Sequence, residues 1–184
     1  SPFHGAVYAV VESIAKVVAV GGDHRRVRLT CQEYFEKLGA DPVRWGKPFS
    51  ALLGSFIAQM ELQTASIGGK DSMSGTFNDM DVPPTLVSFG VCALDAGDVC
   101  SPEFKRHGSP VFYIQGTRDQ YAMPDFEHCK KVFGTVHTMI QNTKIIAAKT
   151  VRTGGVAAAV STMALGNAIG FRFDDEVDFD TLFI

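Results

Sequence analysis

The chain has 184 residues, 46% of them apolar and 20% charged, with a formal net charge of −3. This composition supports an ordinary core and excludes a disordered chain. Basic residues cluster only at His24-Arg25-Arg26-Val27-Arg28, which leaves no broad face for a nucleic-acid backbone. No apolar run approaches the ~18 residues that span a bilayer, and the N-terminus lacks the basic-then-apolar order of a signal peptide, so a soluble, cytoplasmic protein with no membrane partner is expected.

From Ala6 to Val20, the residues Val7, Val10, Val11, Ile14, Val17 and Val18 recur at the spacing of a helix with one buried face. Glu12 and Lys16 fall together on its other side, where an exposed i, i+4 ion pair is the plain explanation. Gly21-Gly22-Asp23 ends that helix, and Arg26-Val27-Arg28-Leu29-Thr30 alternates as a half-buried strand does. A second helix is predicted from Pro48 to Met60, with Phe49, Leu52, Leu53, Phe56 and Ile57 inward. The polar stretch 66–77, SIGGKDSMSGTF, follows. Asp81-Val82-Pro83-Pro84 reads as an extended connector and Thr85 to Leu94 as a β-type run.

The Gly-, Asp-, Ser- and Pro-rich segment from Asp95 to Ser109 reads as a boundary between a first sub-domain, about 1–100, and a second, about 105–184. Beyond it, Val111 to Ile114 is a predicted strand. Asp125 to Gln141 is a predicted helix, buried through Phe126, Cys129, Val132, Phe133, Val136 and Ile140. Lys144 to Lys149 is a strand candidate, Val156 to Leu165 a small-residue helix, and Ile169 to Phe173 a strand. Thr181 to Ile184 resembles the start of another. Strands alternating with helices argue for an α/β arrangement. The opening Ser1-Pro2-Phe3 and this ending both read as cut ends, so a fragment is expected.

Three places could carry chemistry. Lys70 follows Gly69, but the phosphate-cradling G-x-x-x-x-G-K-[ST] loop needs glycine where Thr64 stands and a hydroxyl where Asp71 stands. What remains is a glycine backbone, one cation, one carboxylate and the hydroxyls of Ser72, Ser74 and Thr76, equally consistent with a polar turn and with a phosphate or ribose contact. Val151-Arg152-Thr153-Gly154-Gly155 opens the small-residue helix, where paired glycines offer N–H groups to an anion; simple capping by Thr153 explains the same residues. The four cysteines, Cys31, Cys92, Cys100 and Cys129, show no C-x-x-C spacing and read as reduced thiols.

Together the stretches GAVYAVVESIAKVVAVGGD (5–23), QEYFEKLG (32–39), GGKDSMSGTF (68–77), PPTLVSFGV (83–91) and RTGGVAAAVSTMALGN (152–167) resemble the synthetase region of the large, single-chain phosphoribosylformylglycinamidine synthases of purine biosynthesis. The resemblance implies a duplicated aminoimidazole ribonucleotide synthetase-like fold, of which this chain is similar to an incomplete second copy. It implies an ATP-dependent amidoligase: ATP activates the formamide oxygen of formylglycinamide ribonucleotide, and ammonia from a separate glutaminase domain displaces phosphate. The remainder of the parent synthase, ATP and that ribonucleotide would be the partners. The chain alone is expected to be inactive and to pair with itself through an exposed barrel edge.

On this reading Gly69, Lys70, Asp71, Ser72 and Ser74 line the cleft between the two copies, with Asp71 ordering the loop or holding Lys70. The family's second copy also holds an auxiliary nucleotide, ATP or ADP, with magnesium, placing Lys16, Arg152, Gly154 and Gly155 near nucleotide and Glu12 among the metal ligands. Here Lys16 stands where the family has an asparagine and Thr150 where it has an aspartate, so two oxygen ligands are replaced and the magnesium site is called into question. The rival reading is a non-catalytic scaffold copy that completes the barrel and holds a degenerate auxiliary nucleotide pocket.

Overall fold

The computed structural model describes residues 1–173, 182 and 183. Helix α1 runs from Pro2 to Ala19. It starts earlier than its apolar rhythm because the Ser1 hydroxyl accepts from the His4 amide and Pro2, lacking an N–H, occupies the first turn. It stops at Gly21, whose φ of +107° closes the turn while its amide donates to Val18.

The strand expected from Arg26 begins later. Asp23 accepts from the Arg25 amide and turns His24–Arg26 into a single helical turn. Strand β1, Arg28–Tyr34, then runs four residues beyond the expected end. Strands β2 (Ser66–Ser72) and β5 (Thr85–Val91) flank it in the order β2-β1-β5, with β2 parallel and β5 antiparallel to β1. A two-residue ladder joins β3 (Thr76–Phe77) to β4 (Met80–Asp81).

Helix α2, Pro42–Glu61, begins six residues before its expected start because Asp41 caps the Val43 amide and Pro42 takes the first turn. Pro48, expected to open the helix, lies inside it and is buried. The inward face is also corrected. Ala51, Gly54, Ser55 and Ala58 are buried, whereas Phe49, Leu52, Leu53 and Phe56 are exposed. The cause is close helix packing: a Cβ on Gly54 would stand 2.2 Å from the Phe3 carbonyl oxygen of α1, so only small side chains fit between the two helices.

Helices α1 and α2 cover one face of the sheet. Val7, Val10, Ile14 and Val18 of α1 meet Val27, Leu29, Ala58 and Leu62, each fully buried large aliphatic contributing about 1.5–3 kcal/mol. Helix α3, Phe126–Gln141, is capped by Asp125, which was expected as its first residue, and adds Phe133 to the same cluster. Helix α4, Gly155–Asn167, sits on a separate cluster of Phe104, Val160 and Met163.

The chain is thus a mixed α/β structure. The strands expected at Val111–Ile114, Lys144–Lys149 and Ile169–Phe173 are irregular, because among the described residues no neighbouring strand accepts their backbone ladders. Phe171 instead stacks on Phe104, with centroids 5.8 Å apart, and meets Phe173 edge-on. Of the strand start expected at 181–184, residues 181 and 184 lie outside the described residues.

Candidate functional site

The stretch 66–72 is an edge strand rather than a loop. Lys70 pairs in register with Gln32, Asp71 with Glu33 and Ser72 with Tyr34. Because side chains alternate along a strand, Lys70 and Ser72 share the sheet's open face with Gln32, Tyr34, Val87 and Phe89. The Tyr34 hydroxyl donates to Gln32 Oε1 at 2.8 Å, fixing both beside Lys70. Asp71 lies on the opposite face, on Glu33's side and itself exposed, and of its two expected roles, ordering the loop or holding Lys70, the second is not seen: no ion pair joins the two.

Gly69 contributes closeness rather than mobility. Its φ is not left-handed, and a Cβ there would stand 2.3 Å from the Cys31 carbonyl oxygen. Beyond the strand, the Gly75 amide donates to Phe35, and the Val82 amide to Gly75. Thr76 donates to Asp81 and accepts from the Lys37 amide. Ser74 is thereby held with its Oγ 3.5 Å from that of Ser72.

Glu33 was not singled out from sequence. It is 7% exposed, and among the described residues its carboxyl has no hydrogen bond or ion pair. Burial, reinforced by the Asp71 carboxylate beside it, pushes its pKa up to about 7. The available signal was the alternation of Leu29 and Cys31, which, continued two residues past Cys31, places an acid at an inward position.

The second group assembles on the helix side. Glu12 Oε1 lies 2.6 Å from Lys16 Nζ and 2.6 Å from Arg152 Nε, so one carboxylate oxygen ties α1 to the turn before α4. Capping by Thr153 is not seen: the cap is Gly154, with φ of +90° and no side-chain bond. Gly155, at φ of +64°, donates its amide to Arg152 and packs against Leu182.

These residues do not fit magnesium. Two cations already share the Glu12 oxygen, and no group of three or more His, Cys, Asp or Glu able to hold a metal occurs among the described residues. The structure therefore joins Glu12, Lys16 and Arg152 but keeps them apart from Lys70 and Ser72, which face away from α1. A cavity of about 310 Å³ between residues 97–106 and 140–146 is lined by none of the candidates.

The cysteines are free, and no described helix is long and apolar enough to cross a membrane. No family model matches the chain. The phosphoribosylformylglycinamidine synthase subunit PurL of Limosilactobacillus reuteri (strain DSM 20016) is 23% identical over 192 residues, covering 95% of this chain and 26% of that protein. The same subunit from Nitrobacter winogradskyi is 28% identical over 191 residues, covering 94% and 26%. The chain thus spans about a quarter of the length of the curated relatives it matches.

Two solved structures share the fold. PurL of T. maritima complexed with ATP gives a TM-score of 0.68 at 16% identity, over 100% of this chain and 31% of that one. The ADP complex gives 0.67 at 16% identity, over 99% and 31%. In sequence over nearly all its length, and in fold, the chain is similar to the phosphoribosylformylglycinamidine synthase subunit PurL, of whose length it spans about a quarter.

Proposed function

We propose that this chain is part of an ATP-dependent amidoligase that converts formylglycinamide ribonucleotide and glutamine-derived ammonia to formylglycinamidine ribonucleotide in the cytoplasm. The observation that carries the reading is the edge strand β2, which presents Lys70 and Ser72 on a sheet face left uncovered by the helices. The reaction creates negative charge on a substrate oxygen and on a departing phosphate. An ammonium and a hydroxyl held on a strand, with their neighbours Gln32 and Tyr34 already bonded to each other, are donors that need little reorganisation. The PurL relatives supply the reaction class, and T. maritima PurL complexed with ATP supports nucleotide use by the longer protein.

In this proposal residues 1–100 and 105–184 are parts of two synthetase sub-domains, and the remaining synthase and its glutaminase complete the enzyme. Lys16, Arg152, Gly154 and Gly155 form a nucleotide-facing surface around Glu12. The tie of Glu12 to two cations favours a second role for the same copy, as a scaffold whose auxiliary nucleotide pocket works without a metal.

The chain by itself is expected to be inactive. Incubated with ATP, ammonia and formylglycinamide ribonucleotide, it should release no phosphate and form no amidine above a boiled control. Product formation by the purified chain, free of host synthase, would overturn the proposal that the rest of the enzyme is required.

A further inference from the structure

Helix α2 carries its largest apolar side chains outward. Trp45, Phe49, Leu52, Leu53, Phe56 and Met60 are 40–62% exposed and lie within about 100° of the helix circumference, a stripe as wide as a core-facing one. The Trp45 indole is already oriented, donating to the Gly39 carbonyl at 3.0 Å. The nearby charges Arg44 and Lys47 are tied to Asp81 and Glu36 within the chain. Nothing on the stripe itself is charged.

The order of the stripe is symmetric. Its members are spaced 4, 3, 1, 3 and 4 residues apart, the same read from either end, about a midpoint between Leu52 and Leu53. A two-fold axis through that midpoint lays an identical helix antiparallel, with Trp45 level with the partner's Met60 and Phe49 level with the partner's Phe56. An isologous contact needs this property, since each residue must suit the one its own counterpart meets.

The area is also sufficient. Side chains of about 150–250 Å² each at this exposure offer roughly 650 Å² per copy, so two copies bury roughly 1,300 Å², within the range of about 1,200–2,000 Å² of specific interfaces. We infer that the outward face of α2 is the interface of a two-fold dimer of this chain, with the two α2 helices antiparallel and Leu52 at the axis. This surface is distinct from the sheet edge, and from the open face that carries Lys70.

Sedimentation velocity of the purified chain at about 100 μM should show a dimer. Phe56→Glu, an exposed position whose change leaves the helical circular dichroism intact, should weaken it by about 100-fold or more, because the symmetry places two such changes in one interface. Leu52→Cys adds a geometric check. Near the axis, the two copies of that position are offset by only ~1.5 Å along the helix, while those of Met60→Cys are ~22 Å apart. Under oxidant Leu52→Cys should therefore form a disulfide-linked dimer beyond that of the unmodified chain, and Met60→Cys should not. A monomer at that concentration, a dimer indifferent to Phe56→Glu, or equal cross-linking at both positions would each overturn the inference; the second result would assign association to the sheet edge.

Discussion

Stability is expected to fall by about 1–3 kcal/mol as the pH rises from about 4.5 to just above 7, and Glu33→Gln should abolish most of that fall. Glu33 is buried without a hydrogen-bond partner beside Asp71, and its pKa is pushed from 4.5 to about 7. Between those two values the folded chain holds a proton that the unfolded chain has released. Stability is then complete below the unfolded pKa and is lost as pH rises through the folded one.

Other shifted groups leave this window interpretable. Asp23 and Glu103, both held at about 2 by their basic neighbours, stay charged in the folded chain across this window, and their unfolded forms, with ordinary values of 3.8 and 4.5, add only a small rise at its lower end. His24 acts in the opposite direction: burial lowers its pKa from 6.5, so its neutral form favours folding as pH rises. Comparison with Glu33→Gln cancels that contribution. Urea midpoints across this range should slope downward for the unmodified chain and stay nearly level or rise for the variant. Equal slopes would show that Glu33 is solvated or paired.

Gly69→Ala should cost about 1–3 kcal/mol, the range for overpacked positions. A strand interior normally gains from replacing glycine, so geometry here opposes propensity. The added methyl would meet the Cys31 carbonyl oxygen at 2.3 Å, and that oxygen belongs to β1, fixed between β2 and β5. The edge strand has to move away, carrying Lys70 and Ser72 with it. Thermal unfolding should drop by several degrees, and hydrogen exchange should quicken along 66–72 before it does along β5. A variant as stable as the parent, with unchanged exchange, would mean that β2 is not held this close.

Three of the four helices were legible in the sequence because their signals are strong: an apolar rhythm on α1 and α3, and paired glycines before α4. Helix α2 was legible as a helix but reversed in facing. Periodicity turns the largest apolar residues inward, whereas contact with α1 demanded Ala51, Gly54 and Ala58 there. The strands of the second half were misread because Val111–Ile114 and Ile169–Phe173 have β propensity, and propensity without a hydrogen-bonding neighbour makes no strand.

At the candidate site, the resemblance brought Glu12, Lys16 and Arg152 to one place, and the structure joins them. It could not show that Lys70 and Asp71 face opposite ways, because that follows from 66–72 being a strand. Glu33 escaped notice because the alternating pattern was ended at Thr30, four residues before the strand ends.

The central claim is that the open face bearing Lys70 contacts reacting groups, and its most direct test is steady-state kinetics of Lys70→Ala in the full-length synthase carrying this stretch. Lys70 is exposed and unpaired among the described residues, so the substitution should leave the thermal midpoint unchanged. The account predicts a fall in kcat/KM on the order of 100-fold, the scale for removing one donor from a developing anion. Unchanged turnover per folded molecule would contradict it and leave this copy as scaffold alone.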